Sequence, residues 1–169
     1  GLAIVKALVP KVDVVVENFK PGVMADMGLA YEDLKALRED IILCSISAFG
    51  QTGPMANNPG YDYIAQAYAG ITSMIGDPDG PPSIPLVAVG DVSTGAHGAL
   101  AVTSALLYHA RTGKGQHLDV SLLDVYFNYH EVNVHQFDGS DGAINPTRGG
   151  RHMTYVSPAG VYKATNGYI

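Results

Sequence analysis

Within the 169 residues, one stretch combines a reactive side chain with elements able to hold it: Pro85-Leu-Val-Ala-Val-Gly-Asp91-Val-Ser-Thr-Gly95. Asp91 is the only acid between Asp79 and Asp119. The short apolar run Leu86 to Val89 reads as a buried strand or a buried extended segment, and Gly90 breaks it. Asp91 then stands where a carboxylate can accept from the first free N–H groups of a helix, the N-cap role that an Asp most often takes there. A carboxylate held between a dry strand and a helix N-terminus is also kept ionised by the dipole, and is therefore a nucleophile. The two roles are compatible. The run that follows, Val92 to Ala110, is rich in Gly, Ala and Ser, with bulk at Leu100, Val102, Leu106 and Leu107. It predicts a helix of roughly 30 Å that can lie very close to its neighbours.

Other chemistries find less support. Among six histidines, His130-Glu131 and His135 resemble a zinc-protease motif. Their i, i+5 spacing sets the rings roughly 140° apart on a helix, where that motif needs i, i+4. No metal site is expected, and His97 and His109 are expected to pack or hydrogen-bond. No Gly-x-Ser-x-Gly elbow, G-x-G-x-x-G fingerprint or Walker loop occurs.

The elements that would position Asp91 follow from periodicity. Leu2 to Val9 predicts a short helix closed by Pro10, and Val12 to Val16 a buried parallel strand. Glu17 to Gly22 is a turn, Val23 to Met27 a helical turn, and Tyr31 to Arg38 an amphipathic helix. Ile41 to Ile46 is a second buried strand. Strand, loop, helix and strand make a βαβ unit, so the class is α/β, and its strand-to-loop junctions form the edge at which such sheets hold ligands. Residues 51–60 read as loop, Tyr61 to Ile75 as helix, and 77–82 as a surface loop of turn formers. The central helix stops at Thr112-Gly-Lys-Gly115. Gln116 to Val120 is a strand, and Ser121 caps a helix running to about Phe137. Residues 138–150 read as a linker or mobile loop. Val161-Tyr162 and Tyr168-Ile169 around Thr165-Asn-Gly167 predict a β-hairpin.

Composition sets further bounds. Apolar residues make up 47% and charged residues 15%, which fits a packed core rather than disorder. A net charge of −6 argues against a nucleic-acid partner. The single cysteine, Cys44 in Ile-Ile-Leu-Cys-Ser-Ile, reads as buried filler in a reducing compartment, hence a cytoplasmic location. No apolar run is long enough to span a membrane. The chain opens on Gly1 inside a helical pattern and stops in a strand, so it reads as the middle of a longer protein.

Four stretches together resemble the family III CoA-transferases: Val14-Val-Val-Glu-Asn-Phe-Lys-Pro-Gly-Val-Met24, Ser45-Ile-Ser-Ala-Phe-Gly50, Gly60-Tyr-Asp-Tyr63 and Val89-Gly-Asp-Val-Ser-Thr-Gly95. Thr112-Gly-Lys-Gly-Gln-His117, Gly160-Val-Tyr162 and Asn166-Gly-Tyr-Ile169 match as well. The resemblance implies a large Rossmann-like domain over 1–137, a linker over 138–157 and the start of a smaller domain over 158–169. It implies an interlocked homodimer. Asp91 matches the family's nucleophile, which forms an anhydride with the acyl group and then a thioester with coenzyme A before a carboxylic acid collects the CoA. Asn18, Phe19 and Lys20 match a loop lining the CoA site, and Asn58, Pro59, Gly60 and Tyr61 match a second CoA-contacting segment. Core packing for Phe19 and Tyr61, and a solvated charge for Lys20, are the plainer alternatives. Backbone N–H groups between Gly90 and Gly95 are candidates for an oxyanion site. Asp26 departs from the family, where a basic residue is common and can meet a CoA phosphate. Two other readings stay open: the related α-methylacyl-CoA racemase, which carries His in place of Tyr61, and a non-catalytic CoA-binding subunit. Residues 1–169 alone are expected to be inactive.

Overall fold

The computed structural model describes residues 1–169. In chain order the elements are α1 (Leu2–Leu8), β1 (Val14–Glu17), α2 (Val23–Asp26), α3 (Tyr31–Leu37), β2 (Ile42–Ser47), α4 (Asp62–Tyr68) and α5 (Val89–Thr112). Then come β3 (His117–Ser121), α6 (Leu122–Asn128), α7 (Glu131–Gly139), β4 (Lys163–Ala164) and β5 (Gly167–Tyr168). The first three strands form a parallel sheet in the order β1-β2-β3, with Val14 opposite Ile42 and Leu43 opposite His117. The α/β class is as expected, and the outer edges of β1 and β3 carry no partner strand.

The central strand reads as an apolar run because both its faces are covered. Ile42, Leu43 and Cys44 are each 2% exposed or less. On one side Leu43 joins Val9, Leu29, Leu34 and Ile41 in a core cluster. On the other the sheet meets α5 at Gly98, where an added Cβ would stand 3.2 Å from Ile46 Cδ1. The small residues of α5 thus let a 24-residue helix lie directly against the sheet. Gly113, at φ +68°, closes that helix, its N–H donating to the His109 carbonyl at 2.7 Å. Cys44 is buried, and burial pushes its thiol up, so it serves as filler.

Several elements differ from expectation. Leu86 and Val87 form no buried segment: they are 91% and 62% exposed. Four apolar residues carry no period that separates a strand from a helix start, and here Val89 turns directly into α5. The helix expected over Tyr61 to Ile75 stops at Tyr68, because Gly70 takes φ +83° and starts a separate 3-10 turn, Ile71–Met74. The helix capped by Ser121 divides into α6 and α7 around Tyr129 and His130. His130 Nε2–H donates to the Ala69 carbonyl at 2.7 Å, and its Nδ1 accepts from Asn133 Nδ2 at 3.0 Å. Within residues 138–150 one side chain makes long-range hydrogen bonds. Arg148 donates to the carbonyls of Ser73, Asp77 and Gly80 at 3.0, 3.2 and 2.9 Å, which pins this segment to the preceding loop. The C-terminal hairpin forms as expected, with Tyr162 and Ile169 exchanging both backbone bonds.

At the N-terminal ends of β1 and β2, Arg38 donates to the Val12 carbonyl, Asp13 Oδ1 and Asp40 Oδ1 at 2.6, 2.6 and 2.9 Å. Asp40 Oδ2 also meets His109 Nε2 at 2.7 Å, which joins the end of α5 to the start of β2. The Arg38 and His109 hydrogen bonds hold the Asp40 carboxyl well below the usual range. A depressed Asp value adds stability that is present above its unfolded value and is lost as pH falls through the folded one. Asp40→Asn should therefore lower Tm by a few degrees near neutrality and flatten its fall below pH about 4. Parallel Tm-versus-pH curves for the two proteins would contradict this.

Candidate active site

A parallel sheet delivers the C-terminal ends of its strands to one edge, so the loops after β1 and β2 emerge side by side. Asn18, Phe19 and Lys20 follow β1, Ala48 and Phe49 follow β2, and Asn58, Pro59, Gly60 and Tyr61 lead into α4. These segments enclose a cleft of about 430 Å³. All seven residues matched to the CoA site line it. The loops touch where Gly60 passes the β2 loop: a Cβ there would stand 2.5 Å from Ala48 Cβ and 2.9 Å from Phe49 Cε2. Phe19 is 49% and Tyr61 82% exposed, so neither ring is core packing. Asp26 is exposed on α2 and lines no part of this cleft.

Asp91 lines an adjoining cleft of about 490 Å³. The two clefts share Asn18, Ser47, Ala48, Gly60 and Tyr61 as a common wall. The eight nominated residues therefore lie along one continuous surface, although nothing local in the sequence links the loops to α5.

The N-cap reading of Asp91 does not hold. The helix begins at Val89 with Ala88 at the cap position, so Asp91 lies inside the first turn. Asp62, the first residue of α4 and 5% exposed, does the capping. Its Oδ2 accepts from the Gly90 N–H at 3.0 Å and the Asp91 N–H at 3.2 Å. The Tyr126 hydroxyl donates to Asp62 Oδ1 and accepts from the Gly90 N–H at 2.9 Å and Gln66 Nε2 at 3.3 Å. Burial and the Asp62 carboxylate hold that phenol far above its ordinary value, so it remains a donor. Glycine is required at position 90, since a Cβ would stand 2.6 Å from Tyr126 Cζ.

This network corrects two further expectations. The Gly90 and Asp91 amides are directed at Asp62, the Val92 amide bonds the Ala88 carbonyl, and the next amides belong to the helical ladder. No amide between Gly90 and Gly95 is left for an oxyanion. Nor does the helix start lower the Asp91 carboxyl. Burial, and then the neighbouring Asp62 charge, push it above its ordinary value. One turn along the same wall, Thr94 has a buried hydroxyl without a hydrogen-bond partner.

Comparison with known proteins decides the family. The model of CoA-transferase family III matches residues 1–169. The chain belongs to CoA-transferase family III. The succinate–glutarate CoA-transferase of Agrobacterium fabrum is 50% identical over 125 residues, covering 74% of this chain and 31% of that protein. The acetyl-CoA:oxalate CoA-transferase of Acetobacter aceti is 40% identical over 165 residues, covering 96% and 41% respectively. A crystal structure of a CaiB/BaiF family protein from Brucella suis superposes with a TM-score of 0.90 at 39% identity, over 99% of this chain and 44% of that one. The chain thus spans less than half the length of these family III proteins. None of its helices is long and apolar enough to cross a membrane.

Proposed function

We propose that the protein transfers coenzyme A from an acyl-CoA to a carboxylic acid, with Asp91 as nucleophile. A carboxylate oxygen of Asp91 attacks the thioester carbonyl and the CoA thiolate leaves, giving a mixed anhydride. The thiolate then attacks the Asp91 carbonyl and expels the first acid as its carboxylate, leaving aspartyl-CoA. The acceptor carboxylate attacks that thioester and releases the thiolate. The thiolate finally attacks the acceptor's acyl carbon and regenerates the Asp91 carboxylate. Each step exchanges one activated acyl bond for another, so no external energy source is needed.

The observation that carries this reading is the common wall. Asp91 faces a cleft that shares five residues with the cleft formed by Asn18, Phe19, Lys20, Asn58, Pro59, Gly60 and Tyr61. A CoA chain lying in the second cleft would bring its thioester end within reach of the first. Asp62 relieves Asp91 of capping, which leaves its carboxylate for chemistry. Lys20, which lines the second cleft and not the first, is the cation offered to a phosphate. The names of the relatives point to short dicarboxylates as acceptors. The reading extends to an interlocked homodimer in the cytoplasm, with a large domain over 1–137, a linker over 138–157 and a smaller domain beginning at 158.

Mass analysis of the full-length protein during turnover with succinyl-CoA or acetyl-CoA tests the mechanism. A hydroxylamine-trapped adduct is expected on the Asp91 peptide. The absence of an adduct, together with deuterium entering the α-carbon of a 2-methylacyl-CoA in D₂O, would replace the transferase by the isomerase.

A further inference from the structure

The loop that presents Asn18, Phe19 and Lys20 to the cleft is short and exposed, yet its origin is not. Glu17, the last residue of β1, is 8% exposed. A carboxylate so far from water is costly unless it is hydrogen-bonded. Its Oε2 accepts the Phe19 N–H at 2.8 Å, folding the chain back on itself two residues later. Beneath this turn lies a small chamber of about 100 Å³, where Glu17, Lys20, Ser45, Gln51 and His117 meet apolar side chains that include Met24 and Leu43. Ser45 Oγ and His117 Nε2 satisfy each other at 2.9 Å. Gln51 Nε2 is different: it is buried at the chamber without any partner. Gln51 belongs to the loop after β2, whose own backbone is held by Asp119 Oδ2 accepting from the Gln51 N–H at 2.9 Å. A chamber of that volume has room for a few waters, and a donor without a partner borders it with a buried carboxylate.

We propose that Glu17 is a positioning residue for CoA binding: it holds the Asn18–Phe19–Lys20 loop in its cleft-lining conformation through the Phe19 amide. This rests on the CoA-transferase reading above. Glu17 lies beneath the cleft and does not line it, so it acts through the loop and not on the ligand. Burial makes the contact decisive. If the loop opens, the Glu17 carboxylate loses the Phe19 amide, and a hydrogen bond to an ionised acceptor is among the costlier ones to break.

The test compares Glu17→Met, which keeps the bulk but removes the acceptor, with Glu17→Gln, which keeps a carbonyl for the Phe19 amide. Both are made in the full-length protein. Glu17→Met should raise KM for the acyl-CoA about tenfold with kcat within twofold, and Glu17→Gln should restore most of the affinity. Adding Phe19→Ala to Glu17→Met should cost much less than the two single effects combined, since both act on one loop. Calorimetry with free CoA should show the same loss. An unchanged KM in Glu17→Met, or a fall in kcat alone that tracks loss of folded protein, would overturn the role of Glu17 and leave the transferase reading standing. Wild-type protein that binds no CoA would overturn both.

Discussion

Full-length protein carrying Asp91→Asn or Asp91→Ala is expected to lose CoA transfer by a factor on the order of 10⁴ or more, the scale on which covalent catalysts lose their nucleophile. Neither side chain can form an anhydride. The fold should survive, because Asp91 donates its backbone N–H to Asp62, and that donor is present in both variants. Hydroxylamine should inactivate the wild type during turnover and leave the Asn variant chemically unmarked. Retention of a tenth of the wild-type rate by Asp91→Ala, measured on freshly prepared protein, would remove Asp91 from the mechanism.

The second large effect is expected at Asp62. This buried carboxylate accepts from two amides at the start of α5 and from the Tyr126 hydroxyl. Asp62→Ala removes the carboxylate capping that turn, leaving only the Tyr126 hydroxyl on the Gly90 N–H, and leaves the phenol without its acceptor. The cost should be roughly 1.5–3 kcal/mol in denaturant unfolding, the range for hydrogen bonds to a charged group. Asp62→Asn separates packing from charge. It keeps one acceptor for the amides but removes the like charge that helps raise the Asp91 carboxyl. Without that charge the ionised form of Asp91 is favoured, so the acid limb of kcat/KM should move to lower pH. An acid limb that stays in place, or moves up, would show that Asp62 acts on Asp91 only through geometry.

What could be read from the sequence follows the range over which each signal acts. The long helix and its stop at Gly113 are local matters of composition and one positive φ. So are the buried strand β2, the hairpin around Asn166 and the Ser121 cap, whose Oγ accepts from the Asp124 N–H at 3.0 Å, whereas β1, expected to be buried, leaves Val16 59% exposed. The two loops that form the cleft carry no local sign of meeting, and were nominated through family resemblance. Asp62 and Tyr126 were missed altogether. They lie 64 residues apart, and each looks ordinary in its own helix: an acid in a first turn, an aromatic on an apolar face. Gly90 was the available clue. A glycine in the first turn of a long helix costs stability, and here it marks the close approach of Tyr126. The run before it misled because Leu86 and Val87 look buried by type while the sheet provides no ladder for them.

The open edges of β1 and β3 have a thermodynamic consequence. Residues 1–169 expose 10,704 Å², where a compact monomer of this mass would expose roughly 8,000 Å². The chain spans less than half the length of its relatives, so this surplus is surface that further chain as well as a partner protomer can cover. Apolar side chains on α5, including Val92, Leu100 and Leu107, contribute to it. Under the dimer proposed above, the folding free energy of this sheet is not a constant of the chain but rises with protomer concentration by mass action. Dilution would then loosen the sheet and scatter the loops that depend on its edge, so specific activity would fall with concentration before any change in the residues that do the chemistry.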